Sequence, residues 1–359
     1  MDDRYPRRQT RQIMLGNLRI GGGAPVSVQS MNNTKTGDVA ATLAQLHALR
    51  AAGADVGRLA VPDQEAAAAL PEIVRQSPLP LVADIHFDYR LALAAIAAGV
   101  QGLRINPGNI GAAERVRAVS EAAAAAGIPI RIGVNGGSLD KKLLAKYGGV
   151  TAEALCESAL TQAEQLEATG FHDIVLSLKC SELPVMLEAY RRAAAACDYP
   201  LHIGATEAGT LHRGSLKNAM GIGTLLAEGI GDTLRVSLTA DPVEEVKLGR
   251  EILEMLALQP AGWQFVSCPT CGRTDIDLIT LAERVEQALA AITPKRPRKV
   301  AVMGCAVNGP GEARDADLGI AGGRGRGIIF RRGEKVAAYP EDELFDAFLA
   351  LARQLADEE

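Results

Sequence analysis

Cysteine is scarce in this chain, six in 359 residues, and a protein of that length with so few does not rest on a disulfide framework. Aromatic residues make up 4% and Trp263 is the single tryptophan, so no platform for stacking bases is evident. Neither sign of charge dominates. The formal net charge of -5 argues against a general nucleic-acid binder, although a basic pocket can sit inside an acidic protein. No apolar run approaches the roughly 18 residues that a membrane span requires. The stretch from Met1 to Ile13 is polar and arginine-rich with no hydrophobic segment behind it, unlike a secretory signal. The expectation is a cytoplasmic protein that binds neither nucleic acid nor membrane.

What is present is a globular composition, 48% hydrophobic and 23% charged, in a chain long enough for two domains. The first two-thirds alternates short apolar or β-branched runs with Ala- and Leu-rich stretches of helical spacing. The runs are Val26–Gln29, Asp55–Ala60, Leu81–Asp84, Gly102–Ile105, Pro129–Val134, Asp173–Ser177, Pro200–Gly204 and Thr233–Ser237. Between them the spacing picks out helices such as Val39–Ala52, Arg90–Ala98, Ala112–Ala126, Thr151–Thr169 and Pro184–Ala196, with Pro242–Leu256 closing the series. Near-continuous apolar strands alternating with helices indicate an α/β protein with a covered parallel sheet. A doubly wound sheet alternates in the same way. Eight repeats, and polar residues at the strand ends nearly all the way round, favour a TIM (β/α)8 barrel, whose strand ends converge on one mouth. Gly21-Gly22-Gly23 lacks the lysine and following helix of a phosphate loop and reads as a hairpin turn at the barrel floor.

Near Ala261 the alternation stops. A smaller α+β domain follows, so the expected domains are residues 1–260 and 261–359. It contains a strand at Gln264–Val266, a helix at Asp277–Ile292 and a strand at Lys299–Met303. A strand pair, Gly327–Arg331 with Lys335–Tyr339, and a helix at Glu341–Leu355 complete it.

Two motifs in this second domain carry chemistry. Ser267-Cys268-Pro269-Thr270-Cys271-Gly272-Arg273 places C-x2-C directly after a strand, and Cys305 follows another strand in Gly304-Cys305-Ala306-Val307-Asn308-Gly309-Pro310-Gly311-Glu312. Three thiolates select zinc or an iron–sulfur cluster. A dithiol redox pair would leave Cys305 unexplained. The small, glycine-rich loops tilt the reading toward a cluster, because backbone N–H groups there can approach inorganic sulfide. Glu312 is then a plausible oxygen donor to a fourth iron, a weaker and more exchangeable ligand than thiolate; taken alone, it reads equally well as a solvated loop carboxylate. Cys156 and Cys197 lie in Ala-rich helical sequence and read as small buried hydrophobes.

The strand ends of the first domain carry Arg58, Arg104, Arg131 and Lys179, with Asp84, His86, Asn106, Asn135, Glu207, Arg235 and Ser237 among them. Singly, each is as easily a structural ion pair. Four cations converging on one mouth suit an anion with more than one phosphate, because guanidinium forks match phosphate oxygens.

Together these motifs, with Asp-Ile-His-Phe-Asp from Asp84, Arg-Ile-Asn-Pro-Gly-Asn-Ile-Gly from Arg104 and Gly-Val-Asn-Gly-Gly-Ser-Leu from Gly133, resemble the 4-hydroxy-3-methylbut-2-en-1-yl diphosphate synthase family over essentially the whole chain. It is the two-domain bacterial form that is resembled, without an inserted domain. The resemblance implies an oxidoreductase of the non-mevalonate isoprenoid pathway. It opens the ring of 2-C-methyl-D-erythritol 2,4-cyclodiphosphate and removes a hydroxyl with two electrons from flavodoxin or ferredoxin. It further implies a [4Fe–4S] cluster on Cys268, Cys271, Cys305 and Glu312. Substrate binding is implied at Arg58, Asp84, His86, Arg104, Asn106, Arg131, Asn135, Lys179, Arg235 and Ser237, with Glu207 and Glu312 in catalysis. A head-to-tail homodimer, one chain's cluster domain capping the other's barrel, is implied as well. Two other readings of the residues are a cluster-free barrel transferase or lyase resembling dihydropteroate synthase with a zinc-stapled tail, and a zinc-stabilised module that binds anions without turnover.

Overall fold

The computed structural model describes residues 5–274, 276–305, 313–323 and 325–358. Backbone contacts divide the chain into two compact units, Met1–Leu258 and Gln259–Glu359.

The first unit opens with an antiparallel hairpin, β1 (Gln12–Leu15) and β2 (Leu18–Gly21). Eight parallel strands follow: β3 (Ser27–Met31), β4 (Val56–Ala60), β5 (Leu81–Asp84), β6 (Gly102–Ile105), β7 (Ile130–Asn135), β8 (Ile174–Lys179), β9 (His202–Ile203) and β10 (Thr233–Leu234). They are hydrogen-bonded in the order β8-β7-β6-β5-β4-β3-β10-β9. The Leu176 N–H donates to Pro200 O at 3.0 Å and Leu176 bridges Leu201 in parallel, joining β8 to the segment leading into β9. This is the (β/α)8 barrel.

Its longest helices are α1 (Val39–Ala51), α2 (Gln64–Gln76), α3 (Tyr89–Ala97), α4 (Ala113–Ala126), α5 (Ala152–Glu167), α6 (Leu183–Ala196), α7 (Leu211–Ala227) and α8 (Pro242–Met255). Several start where the sequence supplies a cap. Asp38, Asp63, Asp88, Thr151 and Asp241 each accept a backbone N–H two or three residues on, satisfying donors that the first turn leaves free.

The floor is closed by the hairpin. Ile13, Leu15 and Ile20 pack against Val56, Val82 and Val175 from inside the barrel. A methyl at Gly102 would stand 2.5 Å from Leu15 Cδ1, so β6 admits the plug only because it has no side chain there. The hairpin turn falls at Gly16-Asn17, not at Gly21-Gly22-Gly23, which form a second turn, Ala24 N–H to Gly21 O at 3.1 Å, carrying the chain from β2 toward β3. Two expected strands are shorter than their apolar runs. β9 ends before Gly204, whose Cα lies so close to β10 that a Cβ would meet Arg235 O at 2.3 Å.

The second unit is a five-stranded sheet in chain order: β11 (Trp263–Ser267), β12 (Arg298–Met303), β13 (Leu318–Gly323), β14 (Arg326–Arg331) and β15 (Glu334–Pro340). β11, β12 and β13 are parallel, and β14 and β15 continue antiparallel. Helices α9 (Leu278–Ala290) and α10 (Glu341–Asp357) supply Leu278, Val285, Leu289, Leu344, Phe348 and Leu355 to its core. Its core is separate from the barrel's. β13 escapes the apolar-run criterion because Gly319 and Gly322 give up their side-chain space to the Phe330 ring and to Ile276.

Candidate functional site

Parallel register sets the barrel mouth. Asp84, Arg104 and Arg131 are Cα partners across β5, β6 and β7, and Asn135 and Lys179 are partners across β7 and β8. Partners in a parallel ladder project to the same face, here the barrel interior, so residues far apart in sequence meet there.

Asp84 is 1% exposed and organises one side of the site. Its Oδ2 receives Arg58 Nη2 at 3.0 Å and lies 3.5 Å from His86 Nε2; its Oδ1 receives Arg104 Nη1 at 3.1 Å. Burial opposes ionisation of this carboxyl. Arg58, the His86 hydrogen bond and Arg104 outweigh it and hold Asp84 far below the ordinary carboxylate range. Across the mouth, Arg235 Nη2 donates to both oxygens of Glu245 at 3.0 and 3.2 Å. Glu245, on α8, also accepts from Ser30 Oγ and the Leu238 N–H. Arg235 Nη1 reaches Ser237 Oγ at 3.4 Å.

The other two cations lack a carboxylate partner among the described residues. Arg131 donates to the neutral Gln29 Oε1 at 2.6 Å, and its Nη2 is buried without a partner. Lys179 is 8% exposed and forms no hydrogen bond with a described residue. Burial, then the neighbouring Arg235, Arg58, Arg131 and Arg104, drive its ammonium well below the usual lysine range.

Above them is a cavity of about 450 Å³ whose lining includes His86, Arg104, Asn106, Asn135, Cys180 and Glu207. Glu207 has φ 52, a left-handed conformation rare outside glycine and often found where function holds the backbone.

The structure therefore gathers in the barrel interior the barrel residues singled out in the sequence, with Arg131 reaching down to the floor residues Ile13, Leu15 and Ile20. Gln29, which stands in the polar strand-end segment Gln29-Ser30-Met31-Asn32, holds Arg131. Glu245, which holds Arg235, and His202 were not legible in the sequence. His202 is fully buried on β9, its Nδ1 3.4 Å from Thr233 Oγ1 and its Nε2 without a partner. Burial, followed by the neighbouring cations, keeps this imidazole neutral at physiological pH. The sequence signal for His202 is only its position in a strand; for Glu245 there is none beyond a helix first turn.

In the second unit, Cys268 follows β11 directly and Cys305 lies two residues past β12, both half-buried, with Cys271 exposed between them in sequence. β11 and β12 are parallel neighbours, Ser267 opposite Val302, so the chain leaves the sheet at the same end in both cases. The Gly304 N–H donates to Cys268 Sγ at 3.2 Å. The Cys271 thiol is lowered, chiefly by hydrogen bonding from Arg273 and despite slight desolvation. All six cysteines are free. Among the described residues no three Cys, His, Asp or Glu side chains are placed to hold one metal ion. Glu312 lies outside the described residues.

Fold and site together define a (β/α)8 barrel protein with a buried cationic mouth, joined to a unit that carries soft thiol donors at adjacent strand ends. The GcpE TIM-barrel domain matches residues 10–250 and the GcpE protein C-terminal domain matches residues 264–354. The chain belongs to the GcpE family. A relative from Clostridium perfringens (strain 13 / Type A), a 4-hydroxy-3-methylbut-2-en-1-yl diphosphate synthase (flavodoxin), is 56% identical over 345 residues, 96% of this chain and 98% of that protein. One of the same name from Geobacter sulfurreducens is 57% identical over 350 residues, 98% of this chain and 99% of its own. Among solved structures, dihydropteroate synthase of Yersinia pestis is similar over 68% of this chain and 97% of its own, with TM-score 0.48 and 13% identity. No helix of the described residues is long and apolar enough to cross a membrane.

Proposed function

We propose that this chain is an oxidoreductase that converts 2-C-methyl-D-erythritol 2,4-cyclodiphosphate to 4-hydroxy-3-methylbut-2-en-1-yl diphosphate. Two electrons and two protons enter, the ring C–O bond to phosphate breaks, and a hydroxyl leaves as water. The observation that carries the reading is the charge inside the barrel: the four guanidiniums of Arg58, Arg104, Arg131 and Arg235, with the amine of Lys179 beside them, are faced by two buried carboxylates, Asp84 and Glu245. Such an excess calls for a multiply charged anion. The relatives' printed name supplies its identity, and names flavodoxin as donor; ferredoxin is the alternative.

The three thiols fit a thiolate-ligated cluster by donor type, and Cys268 and Cys305 leave adjacent parallel strands at the same end, although among the described residues the three are not gathered about one point. They are free, and Cys268 Sγ lies within hydrogen-bonding distance of Gly304, the residue preceding Cys305. Cys268, Cys271 and Cys305 would hold a [4Fe–4S] cluster, with Glu312 as the exchangeable fourth ligand. When bound, the cluster supplies electrons one at a time and an iron open to an oxygen ligand.

The barrel does the rest. Arg131 and Lys179, the cations without carboxylates, take the diphosphate, and Arg58, Arg104 and Arg235 orient it from positions already fixed by Asp84 and Glu245. Asn106, Asn135, Ser237 and His86 complete the contacts. Glu207, on the cavity wall, donates a proton to the departing oxygen. A head-to-tail homodimer would bring one chain's second unit over the other's mouth and exclude water.

The test is anaerobic purification followed by turnover. Brown protein with about four irons and acid-labile sulfide per chain, converting the cyclic diphosphate with reduced flavodoxin, is the expected result. Colourless protein with one zinc, or iron-replete protein without conversion, rejects the reading.

A further inference from the structure

Lys179 stands apart from the other basic groups of the mouth. Sharing the barrel interior with it are Arg58 from β4, Asp84 from β5, Arg104 from β6, Arg131 and the lysine's register partner Asn135 from β7, His202 from β9, and Arg235 just past β10, which Glu245 from α8 holds. Glu207 and His86 lie in the cavity wall above. Both buried carboxylates are already committed to arginine, Asp84 to Arg58 and Arg104, Glu245 to Arg235. Asp232, the other buried carboxylate near these strands, precedes β10 at the floor end and accepts from the Leu201 N–H and Thr10. The lysine, register partner of Asn135, therefore lies buried on the interior face that also carries Arg131 and Arg104, and its nitrogen has no hydrogen-bond acceptor among the described residues.

Something in such a cluster must give up charge. Guanidinium keeps its proton under all ordinary conditions, whereas a buried lysine readily loses one. The imidazole of His202 is already neutral and offers no further relief. Among the buried basic groups described in the mouth, Lys179 is the one that can lower its positive charge.

We propose that Lys179 is a neutral amine in the ligand-free barrel, and that an entering dianionic oxyanion is bound together with a proton taken up on Lys179 Nζ. The anion reverses the local field and supplies the acceptors that an ammonium requires. This rests on the mouth being the diphosphate site. It adds that substrate capture is a proton-coupled step, distinct from the protons consumed in the reaction. The sign is fixed: the complex holds one more proton than the free protein, so affinity for a non-titrating dianion falls as pH rises, by about tenfold per unit while the free lysine is neutral.

Sulfate is the suitable probe, because it does not titrate near neutral pH. Calorimetric titration of sulfate into iron-replete, anaerobic protein at pH 7.5, in two buffers of different ionisation enthalpy, should show about one proton absorbed per sulfate bound. Lys179→Arg, with a permanent charge, should bind sulfate with that uptake lost and with a flat pH profile. Lys179→Met serves if the arginine variant does not fold, and should also lose the uptake. Sulfate binding without proton exchange in the wild type overturns the proposal. So does uptake that persists in the variants, which would move the proton to His86 or Glu207. In either case turnover of the cyclic diphosphate would leave the proposed reaction standing. Absence of sulfate binding would remove the oxyanion site, and this inference with it.

Discussion

Arg104 lies over the bare Cα of Gly133 on the adjacent strand. Its Nη2 donates to Gly133 O at 3.2 Å, and a methyl built on Gly133 would stand 2.2 Å from Arg104 Nε. A strand residue without a side chain is thus the condition for a guanidinium to lie flat against the wall and still reach Asp84. Gly133→Ala should displace Arg104 while the outward face of β7 packs as before. The expected outcome is a KM for the cyclic diphosphate raised about tenfold, roughly 1.4 kcal/mol, with an unchanged far-ultraviolet spectrum. An unaltered KM would show that Arg104 does not set substrate affinity.

Asp84→Asn keeps the shape of the side chain and removes the charge shared by Arg58 and Arg104. Breaking a buried pair in this way costs about 3 kcal/mol, measured by denaturant unfolding at pH 7. The pH dependence has a definite sign. The folded carboxyl ionises far below its unfolded value of about 3.9. Its contribution is therefore fully present above pH 4 to 5 and is lost as pH falls from there toward the folded value. The wild type should lose stability more steeply than the variant across that acid range; parallel curves would mean that Asp84 carries none of the acid sensitivity.

Glu244 and Glu245 are adjacent in α8, yet one bonds Lys247 at the surface and the other is buried against Arg235. Glu245→Gln should lower kcat/KM about thirtyfold, near 2 kcal/mol, by loosening Arg235, without touching substrate itself. Glu244→Gln should change stability by less than about 0.5 kcal/mol. Equal effects in steady-state kinetics would deny Glu245 a positioning role.

Iron content separates the cysteines. Cys268→Ser, Cys271→Ser and Cys305→Ser should each lose most iron and the visible absorbance of anaerobic protein, while Cys156→Ala, buried in α5, retains both. Glu312→Ala should keep most iron, since three thiolates still hold it, and turn over slowly. Wild-type turnover in that variant would remove Glu312 from the mechanism.

The barrel was legible because its strands are apolar runs of period and length that helices do not share, as in Leu81–Asp84 and Gly102–Ile105. α7 was not among the helices that spacing picks out, since it contains Gly214, Gly221 and Gly223. Gly214 leaves room for Leu238 and Gly221 for Met186, where a Cβ would stand 2.6 and 2.7 Å away. Close approach of neighbouring elements explains these glycines, and it is invisible to a scan for local propensity.

The sequence by itself determined the eightfold alternation, the cysteine spacing and the placing of cations at strand ends, because each is a matter of local period and residue type. Only the tertiary structure decided which charges meet. It pairs Asp84 with Arg58 and Arg104, joins Arg131 to Gln29 over 102 positions of sequence, and leaves Lys179 without an acceptor among the described residues. Periodicity says which face of an element a side chain occupies; the groups it confronts there arrive from distant segments, and their electrostatic sum exists only once the barrel has closed.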